Sequence, residues 1–297
     1  MTRSRREERL YRKPITHRQR TAIVFLVDCT LSMLQPGKVG ALVMPKYQIV
    51  ELMCNLMIDE LVIRATKHGA IRNYYDIAAL GYSGDGVQSL LPGDSEGFIA
   101  VDRLVDLTPQ PKTMVIKHYI KGNEPSESPM TYHGWIEPKP FGTTSMVEGL
   151  VNVYMLTERW CRNLDNRENF PPMVFHFTDG AYNEADKADI IDLTSRIKNS
   201  YTLDGDTLLF NIHLSSADDN YSSAFHTNRG FKTASYERRL MFDTASMVPK
   251  SLESYVSYIF DIDPKGPYRA TLFNVSACEL ISLLNIGTES VNNKRYL

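Results

Sequence analysis

The sequence predicts an α/β protein built on a doubly wound, mostly parallel sheet with helices on both faces. Three observations carry this. Short apolar runs rich in β-branched residues recur along the chain and alternate with stretches of helical periodicity. The first run, Thr21–Val27 (TAIVFLV), is apolar without a break, as a central strand covered on both faces requires. Helical segments separate most of the later runs, and parallel strands need such crossovers, which right-handed connection places on both faces.

The elements follow in order. Thr21–Val27 ends abruptly in Asp28-Cys29-Thr30-Leu31-Ser32. Pro45 stands at a helix start; Ile49, Leu52, Met53, Leu56, Met57 and Leu61 follow at helical spacing, with Gly69 as the stop. Tyr75–Gly81 predicts a second strand, and Val87–Leu91 one short antiparallel edge strand after the turn Ser83–Gly86. From 92 to 141 prolines interrupt the pattern and only Thr113–Ile120 is β-like, which predicts an irregular insertion with some extended structure. Beyond it come a helix over Ser145–Cys161, a strand over Met173–Phe177, a helix over Glu184–Lys198, a strand over Thr207–Leu214 and a helix over Tyr236–Ala245. Ser251–Phe260 fits neither period cleanly, and Ala270–Asn274 and Ala277–Leu284 close the chain as strand and helix. The expected organisation is a basic arm over 1–20, one domain over 21–288 and a tail over 289–297.

Bulk properties narrow the function classes. With 297 residues, 43% of them hydrophobic, the chain has material for a sizeable core, and wholesale disorder is excluded. A net charge of −2 argues against a general nucleic-acid binder. The charge is nonetheless uneven: Arg3, Arg5, Arg6, Arg9, Arg12, Lys13, Arg18 and Arg20 face only Glu7 and Glu8, a pattern that reads as a solvated arm before it reads as a contact for RNA or an acidic partner. No secretory signal is visible and no apolar run approaches the ~20 residues needed to span a bilayer. Cys29, Cys54, Cys161 and Cys278 are far apart and form no CxxC pair, which points to a reducing cytoplasm without zinc or a disulfide framework.

Binding sites in sheets of this kind lie at the carboxyl ends of the strands. Three segments place small oxygen donors there: DCTLS at 28–32, GTTSM at 142–146 and FTDG at 177–180. A hard cation such as Mg2+ takes oxygen ligands and keeps several waters. Asp28, Thr30 and Ser32 converge on one ion if the chain curls after its strand, and Thr144 and Asp179 close the sphere from neighbouring loops. Gly142 and Gly180 let backbone approach closely. Hydroxyls are neutral, so with one direct carboxylate the cation keeps positive character and attracts a carboxylate from another protein. Taken singly, the segments stay open to plainer readings: Asp28 as the cap of the following turn, and Asp179-Gly180 as a turn.

DxTxS after an apolar strand, a later Gly/Thr/Ser turn and TDG after another strand resemble the metal-ion-dependent adhesion site of von Willebrand factor A (VWA) domains. The resemblance spans roughly Thr21 to Gly287 and implies a Rossmann-like VWA fold whose ligands fall on Asp28, Thr30, Ser32, Thr144 and Asp179. Thr144 is matched through Ser145-Met146 and the following helix, as in bacterial members reading GGTSM or GGTPM. WIEPKPFGTTSM (135–146), DTASMVPKSL (243–252) and ATLFNVSACELISLLNIGT (270–288) are similar to intracellular bacterial VWA proteins, including the tellurite-resistance type. Such proteins are encoded beside PP2C-type phosphatases and Ser/Thr kinases, which implies a signalling or stress-response adaptor.

Other residues are weighed against packing roles. Cys29 reads as a small buried filler, and His176 and His213 as satisfied core residues. Asp59 and Glu60 are expected at a helix end facing water, Trp135 as a candidate wall of the metal rim, and Asp218-Asp219-Asn220 as a polar loop before a second cation site. The leading expectation is a non-enzymatic module that uses Mg2+, with Mn2+ or Ca2+ as alternatives, to bind a partner's Glu or Asp. A VWA subunit working with an AAA+ ATPase of the MoxR or chelatase kind is the alternative. A phosphoester hydrolase of the haloacid-dehalogenase class is disfavoured, because Thr30 stands where its second acid would be.

Overall fold

The structure is a computed structural model that describes residues 10–286 apart from 41, 92–96, 108, 119–125, 144, 220, 228–230, 233, 234 and 264. Its centre is an eight-stranded sheet. In chain order the strands are β1 (Thr21–Asp28), β2 (Tyr75–Ser83), β3 (Gly86–Ser89), β4 (Ile99–Ala100), β5 (Met173–Thr178), β6 (Leu208–His213), β7 (Ser223–Ala224) and β8 (Thr271–Phe273). They lie in the order β7-β8-β6-β5-β1-β2-β3, with β4 also pairing β2. β1 pairs β5 and β2 in parallel, and β5–β6 and β6–β8 are parallel too.

Seven α-helices are described: α1 (Lys46–Ala65), α2 (Val101–Leu104), α3 (Met146–Arg162), α4 (Lys187–Asn199), α5 (Tyr236–Thr244), α6 (Lys250–Ile259) and α7 (Ala277–Leu283). All eight residues of β1 are buried, as its unbroken apolar run requires. Alternation along the strand divides them between two cores. Ile23, Phe25 and Val27 join Ile49, Met53, Met57, Leu252, Val256 and Leu280 of α1, α6 and α7. Val24 and Leu26 join Met146, Leu150, Val153, Ile190, Ile197 and Leu240 of α3, α4 and α5. From β1 the chain goes through α1 to β2 on one side, and later through α3 to β5 on the other. The carboxyl ends of β1 and β5 therefore flank the point where the strand order reverses, the usual crevice of open α/β sheets.

Several expectations need correction. The sheet has antiparallel strands at both edges, not at one: β3 on β2 and β7 on β8, with the two-residue β4 also antiparallel to β2. Segments as short as Ser223–Ala224 carry no readable period. α1 stops at Ala65, and Gly69 serves a small hairpin, Thr66–Lys67 with Ala70–Ile71, not the helix end. Another hairpin, Pro36–Val39 with Leu42–Pro45, separates DCTLS from α1. The 92–141 stretch is more ordered than expected: it holds β4, α2 and a long antiparallel hairpin, Pro111–His118 with Ser126–His133. The ambiguous Ser251–Phe260 is helical, because Leu252, Tyr255 and Val256 share one buried face.

Residues 10–20 are not a solvated arm. Tyr11 and Ile15 are buried in the core, the Tyr11 hydroxyl donates to the Asp206 carbonyl at 3.0 Å, and Lys13 pairs with Glu168. The first nine residues of the arm and the tail over 289–297 lie outside the described residues. No helix among the described residues is long and apolar enough to cross a membrane.

Candidate metal centre

β1 delivers Asp28 to the carboxyl end of the sheet and β5 delivers Thr178 beside it, followed by Asp179. Asp28 is fully buried. Its Oδ1 accepts from the Thr30 amide at 3.0 Å and the Thr30 hydroxyl at 2.7 Å, and its Oδ2 accepts from the Thr178 hydroxyl at 2.8 Å. After the strand a 3-10 turn over Leu31–Leu34 curls the chain, bringing Thr30 Oγ1 and Ser32 Oγ within 3.0 Å. Asp179 stands close enough for its charge to act on the Asp28 carboxyl.

The third segment abuts the first. The Phe141 amide donates to the Cys29 carbonyl at 2.9 Å, and the Leu31 amide to the Gly142 carbonyl at 3.2 Å. Gly142 has a positive φ of 69°, and a Cβ there would stand 3.0 Å from the Gly84 nitrogen. Gly180, at φ 80°, leaves no room for a side chain either, since a Cβ added to it would meet Glu237 Cβ at 2.9 Å. Of the five expected ligands, Asp28, Thr30, Ser32 and Asp179 come together; Thr144 lies outside the described residues.

The two carboxylates are held in different electrostatic states. Burial, and after it the charge of Asp179, pushes the Asp28 carboxyl up to about 6. Among the described residues no cation touches Asp28. Asp179 behaves oppositely. Burial works against its ionised form, but the hydrogen bond and charge of Lys46 outweigh burial and hold its carboxyl below the usual range. The Lys46 ammonium lies 2.9 Å from Asp179 Oδ2, with both side chains nearly buried. Sequence reasoning misses Lys46, because it reaches Asp179 across 133 positions only once the 36–45 hairpin has placed the start of α1 at the strand ends.

Asp28 Oδ1, Thr30 Oγ1 and Ser32 Oγ follow one another at 2.7 and 3.0 Å, with the charge of Asp179 close enough to act on Asp28. Closely set oxygen donors that include two carboxylates are what an oxygen-seeking cation satisfies. An ammonium already neutralises one edge of the cluster. The residues present fit a hard divalent cation.

The floor of the site is rigid. The buried Tyr82 phenol meets His176 Nε2 at 3.1 Å, and His176 Nδ1 meets Asn211 Oδ1 at 3.3 Å. Asn211 donates its own amide to the Met241 carbonyl and to Thr244. Its Oδ1 is therefore the acceptor, Nδ1 of His176 carries the proton, and Nε2 accepts from Tyr82. Burial lowers the His176 pKa to about 4, so the ring is neutral. It is the satisfied core residue expected, and so is His213, lowered to about 4 by burial and then by Arg238. Cys29 is buried, and burial pushes its thiol up to about 12, in keeping with a filler.

A groove of about 340 Å3 opens beside Lys46 and Asp179, lined further by His213, Ser215, Asp219 and Arg238. Arg238 pairs with Asp219, donates to Ser215 Oγ at 3.0 Å and covers the Tyr221 ring. Asp219 is thereby paired, in keeping with a polar loop. Asp59 and Glu60 do not sit at a helix end facing water. They lie within α1, where Asp59 accepts from the His133 amide and the Trp135 indole, and Glu60 pairs with Arg64. Trp135 is accordingly a packing residue on α1 and not a wall of the metal rim.

A larger cleft, about 760 Å3, lies between α3, α4 and the Tyr201–Thr202 turn. It holds none of the expected ligands, and Arg162 and Arg196 there pair with carboxylates of their own helices. Size alone does not make it the functional site.

No protein-family model matches the chain, and no curated protein matches it. Among solved structures it is similar to an uncharacterized membrane spanning protein from Vibrio fischeri, over 76% of this chain and 86% of that one. Identity is 11% and the TM-score 0.26, too low to carry any argument.

Proposed function

We propose that the chain is a VWA-type module that binds a divalent cation, Mg2+ first, and through it an acidic side chain of a partner protein. The observation that carries this reading is the donor set. One fully buried carboxylate without a cation of its own among the described residues, two convergent hydroxyls and a second carboxylate stand together where the strand order reverses. The strand order, helices on both faces and three abutting motifs support the doubly wound VWA description over a generic α/β one. Asp28, Thr30, Ser32 and Asp179 would hold the ion, with Thr144 as the fifth expected ligand. Bound there, the cation supplies a positive centre with open positions for an incoming carboxylate. The open groove beside Lys46 and Asp179 leaves space for the segment that carries it. By resemblance, the partners are signalling proteins such as a Ser/Thr kinase or a PP2C-type phosphatase.

The experiment is partner affinity, after affinity isolation in Mg2+, measured again with EDTA and with Asp28→Ala. Loss in both is expected. Unchanged affinity in a folded Asp28→Ala protein contradicts the metal bridge.

A further inference from the structure

Lys46 is out of place by ordinary helix rules. It is the first residue of α1, at the positive end of the helix dipole, where anionic groups are favoured; the first turn contains no acidic residue. It is also buried, which costs a lysine its hydration. The surroundings are nevertheless built to hold it. The hairpin 36–45 brings it to the strand ends, and its own amide donates to the Gln35 carbonyl at 3.0 Å. Gly37 clears its stem, since a Cβ at that position would meet Lys46 Cγ at 2.9 Å. Its ammonium is the one cation paired with Asp179 among the described residues.

Counting charges shows what this does. Asp28, Asp179 and Lys46 together carry one negative charge. A divalent cation turns that into one positive charge, whereas without Lys46 the same cation would end neutral. Of the nearby groups, Arg238 cancels Asp219 and His213 is neutral, while Glu237, on the rim of the same groove, is exposed and its charge is screened by solvent. Lys46 therefore acts in two opposite directions. It repels the incoming metal and occupies one of its ligands, yet it preserves the charge by which the loaded site attracts an anion.

We propose that Lys46 is a specificity-determining residue that competes with the divalent cation for Asp179 and, by cancelling that carboxylate, tunes the loaded site toward carboxylate ligands. The inference rests on the metal reading above.

The test uses the full chain at mildly alkaline pH with two probes. Mn2+ affinity is read from the electron paramagnetic resonance signal of free Mn2+. Acetate affinity of the Mn2+-saturated protein is read from water-proton relaxation as acetate displaces metal-bound water. Lys46→Met is expected to bind Mn2+ about tenfold more tightly and acetate several-fold more weakly, the two shifts having opposite signs. Lys46→Arg, which keeps the charge, should lie near wild type in both. Where Lys46→Met fails to fold, Lys46→Gln carries the same expectation. If Asp28→Ala abolishes Mn2+ binding while removal of the Lys46 charge changes neither affinity, or moves both the same way, the role of Lys46 is overturned and the metal reading stands. If wild type and Asp28→Ala bind Mn2+ alike, both fall together.

Discussion

Asp76 and Asp28 are both buried, on neighbouring central strands, one at the amino end of the sheet and the other at the carboxyl end. Asp76 has permanent partners. The Trp160 indole donates to it at 2.8 Å, and the Arg20 guanidinium lies 3.2 Å away. Among the described residues Asp28 has only neutral donors, two hydroxyls and one amide, and two of those donors carry oxygens that can themselves ligate. Burial alone therefore does not mark a functional carboxylate. Asp76 is closed by an indole and a guanidinium, neither of which can ligate a cation, while on the proposed reading Asp28 is held in shape by hydroxyls that could turn to face the same ion.

The sharpest way to break this comparison is to remove each aspartate. Asp28→Ala is expected to abolish divalent-cation binding in calorimetry while costing about 1–3 kcal/mol in urea unfolding, the range for buried donors left unpaired. Asp76→Ala should leave cation affinity unchanged and cost about 3 kcal/mol, the low end for a broken buried pair, because Arg20 keeps some contact with water. Equal effects on metal binding would erase the distinction.

Adding the cation should separate the two ends next. Mg2+ at a hundred times its dissociation constant stabilises by about 2.7 kcal/mol, which raises the melting temperature by roughly 4 °C. EDTA reverses the gain, and Asp28→Ala never shows it. An equal rise in Asp28→Ala would mean that the ion binds elsewhere.

A further prediction concerns the floor of the site. His176 has a folded pKa of about 4, below the ordinary value of 6.5, so the unfolded chain takes up a proton that the folded one refuses. Its contribution to stability is complete above about 6.5 and is lost as pH falls toward 4. Denaturation midpoints between these limits should fall less steeply in His176→Gln than in wild type, and parallel curves would contradict the neutral buried ring.

Much of this is legible in the order of the amino acids. Thr21–Asp28 announces a central strand by its unbroken apolar run, and the three oxygen-rich segments do converge as far as they are described, with Asp28, Thr30 and Ser32 joined through hydrogen bonds and Asp179 close beside them. What stays hidden depends on contacts between distant positions. Lys46 looks like any lysine after a proline until the hairpin is folded. Asp59 looks solvated until Trp135 and His133 arrive from the long hairpin. Residues 10–20 look like a free basic arm because their charge dominates the pattern and hides the anchors Tyr11 and Ile15. Periodicity reports which face is buried, and it does not report which partner buries it.

The most direct measurement is diffraction from crystals grown with Mn2+, using its anomalous signal. The expected result is one ion with oxygens of Asp28, Ser32 and their neighbours at about 2.1–2.2 Å, as hard octahedral cations require. Mn2+-saturated crystals with no peak there, and Lys46 still seated on Asp179, would contradict the metal centre.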